Sequence, residues 1–465
     1  MLRSRIAAVL FCAALLFLIT GCVASDDTNS TINANAEKDR SRALYLQAAD
    51  TINAADSLSV YIGTMTQTTV GSQTFCESSQ QRLNYQHDEL EGFRASVEEV
   101  VQIGAHKYTI AEIYDNQTNY FTVNGSPFSS SITAEAYRSR FAPAVPFDVT
   151  LYGDIQTVQQ GNRTGIIFSQ PTAGEAWAIP DGAVFLGASG FAMLDSKGAI
   201  TDSTYTVSYT AGNATITKTV KIIICSTAAQ ITPLSTTASY IPLDYADAPR
   251  LLEQACGYLL QAVKTRSQSF ENITCQAFSI NRTQSSSLTM SGKDQDFYAV
   301  LDTTVSQINQ SLGGAVINLT EKEQFQNGVY SISHNGSAPT DNPSVDHKTM
   351  NAYCQDFLVS SIILPKHIAS ATVRETETTY KITFQANQLL AETICADICE
   401  TLYNEPALLD TLASASSADA VECYLELDKQ TGLPIMSGLN YSATHTIEAI
   451  SYQLTSQRTQ SYQYP

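Results

Sequence analysis

Basic residues are scarce in this chain. Lys and Arg number 26 against 45 Asp and Glu, a formal net charge of −19. A surface this acidic repels nucleic acid and anionic headgroups, which argues against both as partners. The short motifs of common chemistries are missing too: no G-x-S-x-G, H-E-x-x-H, P-loop or EF-hand loop occurs. Gly187-Ala-Ser189-Gly190 comes nearest to a nucleophile elbow. Its second glycine arrives one residue early, so the segment reads as a loop. The six histidines (His87, His106, His334, His347, His367, His445) are scattered, with no helical i, i+4 pair. No metal or other cofactor is expected, and the chain is not expected to be an enzyme.

Long apolar runs are absent, with one exception. Arg3 and Arg5 precede Ile6 to Ile19, a nearly unbroken apolar stretch that ends at Thr20-Gly21-Cys22. Charge followed by a short apolar core is the layout of a secretory signal over residues 1–21. Leu18-Ile19-Thr20-Gly21-Cys22 resembles a bacterial lipobox, which implies a diacylglyceryl group on the Cys22 thiol. Acyl carbons contribute about 0.8 kcal/mol each when buried, so two or three chains would hold the protein on the extracytoplasmic membrane face. Residues 22–40 are then the lipidated N-terminus and a polar, flexible tether.

A repeat organises the remainder. Thr133-Ala-Glu-Ala-Tyr137-Arg-Ser-Arg-Phe141 returns as Thr349-Met-Asn-Ala-Tyr353-Cys-Gln-Asp-Phe357, both reading T-x-x-A-Y-x-x-x-F. Each copy follows a tyrosine and an Asn-Gly-Ser turn: Tyr120 with Asn124-Gly125-Ser126, and Tyr330 with Asn335-Gly336-Ser337. Each precedes a Leu-Asp…Gly hairpin signal, at Leu194-Asp195 with Gly198 and at Leu427-Asp428 with Gly432. An ordered series of shared signals predicts two similar domains in tandem. The expected units are 41–225 and 250–456, joined by a Pro-, Ser- and Thr-rich linker at 226–249 and ended by a tail at 457–465.

Within each unit the pattern is one leading helix, then mostly antiparallel strands interrupted by the motif helix. The leading helices carry Leu44, Ala48, Ile52 and Ala55, and Leu252, Ala255, Leu259 and Val263. The second unit adds an amphipathic segment at about Ala386 to Leu402, with Leu390, Ile394, Ile398 and Leu402 on one stripe. The fold class is α+β. The leading helix, the hairpin series, the Tyr-then-Asn-Gly-Ser segment and the closing Leu-Asp…Gly hairpin resemble the lipoprotein-carrier (LolA/LolB-like) superfamily. The resemblance implies two tandem half-barrels, each a curved antiparallel sheet wrapped around a helix, with an apolar cavity for acyl chains.

The cysteines beyond Cys22 fall in even numbers in each unit, two and six. Cys76 and Cys225 fall in the first unit and form a candidate disulfide. Cys256, Cys275, Cys354, Cys395, Cys399 and Cys423 fall in the second, where spacing leaves connectivity open. Cys395 and Cys399 share a helical face, which fits a disulfide or buried thiols better than a metal without nearby histidines. The Gly- and Ala-rich stretch Ala173 to Ala192 predicts that the first unit is the more hollow. Two functional readings follow: a membrane-anchored protein sheltering an amphipathic or lipid-like ligand, or an interaction lipoprotein contacting a protein or cell-wall polymer.

Overall fold

The computed structural model describes residues 28–464 apart from 54, 89–91, 141–153, 162, 171–178, 227–230, 232–238, 263, 278, 293–295, 311–313, 403–417 and 448–449. The signal segment and Cys22 lie outside the described residues.

Five helices are described: α1 (Thr28–Asn53), α2 (Ala134–Arg140), α3 (Ala248–Leu259), α4 (His347–Val359) and α5 (Gln388–Leu402). The first sheet comprises β1 (Ser57–Val70), β2 (Gln73–Asp88), β3 (Gly92–Ile103), β4 (His106–Asp115), β5 (Thr118–Val123), β6 (Ser126–Ser131), β7 (Asp154–Gln160), β8 (Arg163–Gln170), β9 (Val184–Leu194), β10 (Ile200–Ala211), β11 (Ala214–Ser226) and β12 (Ile241–Pro242). The second holds β13 (Lys264–Thr274), β14 (Ser279–Ser291), β15 (Tyr298–Asn309), β16 (Ala315–Gln326), β17 (Val329–His334), β18 (Thr340–Asp341), β19 (Ile368–Glu375), β20 (Thr379–Ala386), β21 (Ala418–Asp428), β22 (Pro434–Ile447) and β23 (Ile450–Gln463).

The first sheet runs β12-β6-β5-β4-β3-β2-β1-β11-β10-β9-β8-β7, and the second β18-β17-β16-β15-β14-β13-β23-β22-β21-β20-β19. Neither closes on itself. Without β12, the parallel partner of β6, the two orders coincide strand for strand. All other pairings are antiparallel, and a motif helix separates the sixth from the seventh strand in both.

Local chemistry fixes the shared hairpins. Asn124 and Gly125 sit at φ 49° and 79°, and Asn335 and Gly336 at 49° and 73°. Two consecutive left-handed residues make the tight turn that Asn-Gly favours. Each asparagine also accepts a backbone N–H from the neighbouring strand, Thr109 at 3.1 Å and Thr320 at 2.9 Å. In the closing hairpins Asp195 Oδ1 accepts from the backbone N–H of Lys197 and Ala199, and Asp428 Oδ1 from that of Gln430 and Thr431. The aspartates recur because their carboxylates satisfy turn amides that no strand reaches.

Inward-facing residues alternate along the strands and meet the helices. α1 buries Tyr45, Ala48, Ala49 and Ile52 against Leu58, Leu83, Phe93 and Phe168. Each large apolar side chain so buried stabilises by about 1.5–3 kcal/mol. α5 packs on β13, β21 and β23 through Leu390, Ile394 and Ile398, in the place its stripe predicts. α3 behaves differently. It touches β19 and β22 of the second sheet and also β3 and β4 of the first, so one core runs from Ile103 and Phe121 through Leu252 and Tyr258 to Ile382 and Leu425.

Several sequence boundaries are corrected. The helix begins at Thr28, inside the segment expected to be a tether. The linker 226–249 contains β12, whose pairing with β6 makes it part of the first sheet. The tail 457–465 is largely the end of β23, paired with β13. The Gly187–Gly190 stretch is strand β9, not a loop, and Ser189 pairs with Thr206 and Ser169. Gly190 suits a strand here because the Phe168 ring lies over its backbone, where a Cβ would come within 2.1 Å.

Candidate functional site

A cluster of inward-facing charges lies where α3 crosses the first sheet. Alternation along β2, β3 and β4 turns Glu77, Glu99 and Glu112 to the inner face, where apolar residues would serve a plain core. α3 answers them. Arg250 Nη2 donates to Glu99 Oε1 at 3.2 Å, while Gln254 Nε2 and Tyr258 Oη donate to Glu77 Oε2 at 2.9 and 2.8 Å. Glu253 lies 2.7 Å from His106 Nε2 and accepts from Asn124 Nδ2 at 2.6 Å. Gly257 permits the close approach, since a Cβ there would stand 2.6 Å from Ile103 Cβ. Burial raises the Glu99 carboxyl above its ordinary range, with the Arg250 guanidinium opposing. Burial, then Glu77, pushes the Tyr258 phenol well up. Beside this seam Glu112, Asn119, Phe121, Asp247 and Arg250 line a narrow cleft.

A second arrangement explains the motif tyrosines. Counting from the hairpin closures Asp115–Thr118 and Gln326–Val329, Glu112 and Glu323 occupy the same register position. Glu112 Oε2 accepts from Asn119 Nδ2 at 3.1 Å and Tyr137 Oη at 3.3 Å. Glu323 accepts from Tyr330 Oη at 2.7 Å and Tyr353 Oη at 3.1 Å. Each glutamate thus pins its motif helix to the sheet. Tyr137 is fully buried, stacked on Tyr114 with ring centroids 4.5 Å apart, whereas Tyr353 is 46% exposed. Burial and the Glu323 charge raise the Tyr330 and Tyr353 phenols. Phe141, the other half of the first motif's expected face, lies outside the described residues.

The predicted site residues are not brought together. Cys76 and Cys225 are free and exposed. Cys76 lies opposite Gln67, while the residues flanking Cys225 lie opposite Ser59 and Val60, so roughly 20 Å of strand and an intervening strand separate them. A disulfide needs Cα atoms within about 7 Å, and the expected bridge is overturned. Cys256, Cys354 and Cys423 are free and buried, Cys395 is buried, and Cys275 is partly so. Burial pushes the Cys256, Cys354 and Cys423 thiols up to about 12, which makes them unreactive packing groups. Cys395 Sγ meets His445 Nε2 at 3.7 Å, but both are fully buried. The side chain of Cys399 lies outside the described residues. Among the described residues no group of three or more His, Cys, Asp or Glu could hold a metal ion.

The inner face of the second sheet is covered unevenly. Matching registers places Ile317 where the first sheet has His106, Leu319 where it has Tyr108, and Ile332 where it has Phe121. In the first sheet α3 lies over this end. In the second no described element does, and Ile317 is 58% exposed. Against the cavity expectation, among the described residues α1 and α3 cover the inner face of the first sheet, and the more open inner surface is on the second; residues 173–178 of the Gly- and Ala-rich stretch lie outside the described residues. The sequence could not show this, because nothing in α3 announces that one helix serves two sheets.

No family model matches the chain, and no curated protein does. The chain is similar to solved structures of bacterial proteins. One is LprF from Mycobacterium bovis, at 9% identity and a TM-score of 0.27, over 42% of this chain and 95% of that one. A second is a DUF1329 family protein from Desulfovibrio piger, at 9% and 0.18, over 42% and 95%. A third is a domain from Vibrio parahaemolyticus named for outer-membrane lipoprotein sorting, at 9% and 0.16, over 41% and 92%. Likeness at this level carries no argument about fold or role. Among the described residues no helix is long and apolar enough to cross a membrane.

Proposed function

We propose that this chain is a non-catalytic extracytoplasmic lipoprotein, anchored through Cys22, that binds an amphipathic ligand along the inner face of a half-barrel. The observation that carries the reading is the open end of the second sheet. There Ile317 stands exposed beside partly buried Leu319 and Ile332, and Arg282, Glu321 and His334 face the same side. Apolar strips with charged neighbours hold ligands that have one greasy and one polar side. The first sheet supplies the precedent, since it holds α3 in that manner. The two sheets are read as duplicated half-barrels, one internally occupied and one available.

The site test is titration of the mature Cys22→Ser chain with an environment-sensitive hydrophobic probe. Saturable binding that Ile317→Glu abolishes supports the reading, and a wild-type chain that binds none sinks it. The anchor has its own test. Cys22→Ala should remove labelling by a clickable fatty acid, and persistent labelling would show that the acyl group sits elsewhere.

A further inference from the structure

We infer that the open end of the second sheet receives helix α1 of a second copy of this chain, giving head-to-tail association. This rests on the proposed reading of that surface and names its occupant. The template is intramolecular: in the first sheet, the same register positions are covered by α3. α1 and α3 share one buried spacing, Tyr45, Ala48, Ala49 and Ile52 matching Leu252, Ala255, Cys256 and Leu259. The match superposes Ala43 on Arg250, Leu46 on Glu253, Gln47 on Gln254, Asp50 on Gly257 and Thr51 on Tyr258. On α3 those residues face the first sheet. On α1 they are exposed, and Leu46 is 42% so.

Replacing both sides of the template at once leaves the main contacts compatible, although Asn335, in the place of Asn124, gains no carboxylate partner. Glu253 against His106 becomes Leu46 against Ile317, a polar pair exchanged for an apolar pair. Arg250 against Glu99 becomes Ala43 against Thr303, two neutral groups. Gln254 and Tyr258 against Glu77 become Gln47 and Thr51 against Arg282, with Asp50 one turn away on the same side. Arg282 has its guanidinium Nε buried with no hydrogen-bond partner, its Nη2 donating to Gln284. An acidic group arriving from Asp50 would complement the charge of that guanidinium. Asp50 is bulkier than Gly257, so α1 rides further from the sheet than α3 does, and the contact is of the weaker, reversible kind.

A contact between two different surfaces does not stop at two copies. Sedimentation velocity of the mature Cys22→Ser chain should show mass rising with concentration beyond the dimer. Leu46→Glu and Ile317→Glu should each weaken association at least tenfold. An equimolar mixture of the two variants should recover a one-to-one complex and nothing larger, because only one intact α1 and one intact sheet end remain. Both residues are exposed, and thermal melts would verify that the variants fold. A dimer that never grows, association untouched by either variant, or a mixture that stays monomeric would overturn the inference. If the chain stays monomeric yet still binds the hydrophobic probe at Ile317, the occupant is another amphipath: the inference fails and the binding reading stands. If it does neither, both fail.

Discussion

The two sheets share one strand order yet treat the same glutamate differently. In the first, Glu112 and Tyr137 are sealed among Phe93, Tyr114 and Asn119. In the second, Tyr353 holds Glu323 from the surface, and Tyr330 replaces Asn119 as the other donor. Backbone pairing therefore does not decide whether a polar contact is core or rim. What lies over it does. α2 begins at Ala134 with Thr133 as its cap, whereas α4 begins a turn earlier in the motif, at His347, with Asp346 as its cap. Tyr353 remains 46% exposed there, while Tyr137 is fully buried.

The comparison breaks most visibly at the tyrosines. Tyr137→Ala should cost about 3–5 kcal/mol, the range for emptying a buried aromatic site, and it also strips Glu112 of a donor. Tyr353→Ala should cost about 1 kcal/mol, as befits a half-exposed ring. Urea unfolding of both variants checks this, and equal losses would mean that burial is not what separates the sheets.

The next effect belongs to α3. Gly257→Val places side-chain carbon where Ile103 already stands, and should destabilise by about 1–3 kcal/mol through overpacking. Asp50→Ala at the matching place on α1 should stay within about 0.5 kcal/mol, because nothing described packs there in the single chain. Thermal unfolding would compare the two. A neutral Gly257→Val would show that α3 is not held against the first sheet.

Smaller still is the capping difference. Thr133→Ala removes the side chain that accepts the Ala136 amide and should cost about 1 kcal/mol. Thr349→Ala should cost less, because Asp346 accepts the Thr349 backbone amide whatever side chain that residue carries. Circular dichroism melts would show the asymmetry, and a larger loss at Thr349 would reverse the assignment of caps.

Much of this was legible in the residues. Asn-Gly turns, Leu-Asp hairpins and the T-x-x-A-Y helix each mark a local solution, and local solutions survive in a sequence as short strings. The α5 stripe was equally plain, since its period of 3.6 needs no partner to be recognised. Glu112 and Glu323 went unnoticed because single glutamates on alternating strands look like solvent-facing residues until register turns them inward. α3 misled for another reason. Its apolar face suits the second sheet, and nothing in the string marks Arg250, Glu253 and Gln254 as the face that grips the first. Cys76 and Cys225 failed as a pair because even counting says nothing of where along a strand each thiol sits.

The mildest expected effect concerns pH. Glu99 lies on the first sheet where the second has Thr303, so only one sheet carries a titrating group at this place. Burial raises the Glu99 carboxyl above its ordinary value of 4.5, and Arg250 draws it partly back. A carboxyl raised by folding binds its proton more tightly in the native chain than in the unfolded one. Its contribution to stability is therefore fully present below about pH 4.5 and is lost as pH rises through the raised value. Glu99→Gln removes that proton exchange. Relative to wild type, the variant should lose less stability, or gain more, as pH climbs from about 4.5 toward neutrality. Thr303→Val should leave the pH profile of wild type unaltered. The measurement is the urea midpoint across that range. If the Glu99→Gln curve runs parallel to wild type, the carboxyl titrates as it does in the unfolded chain, and Arg250 cancels the cost of burying it.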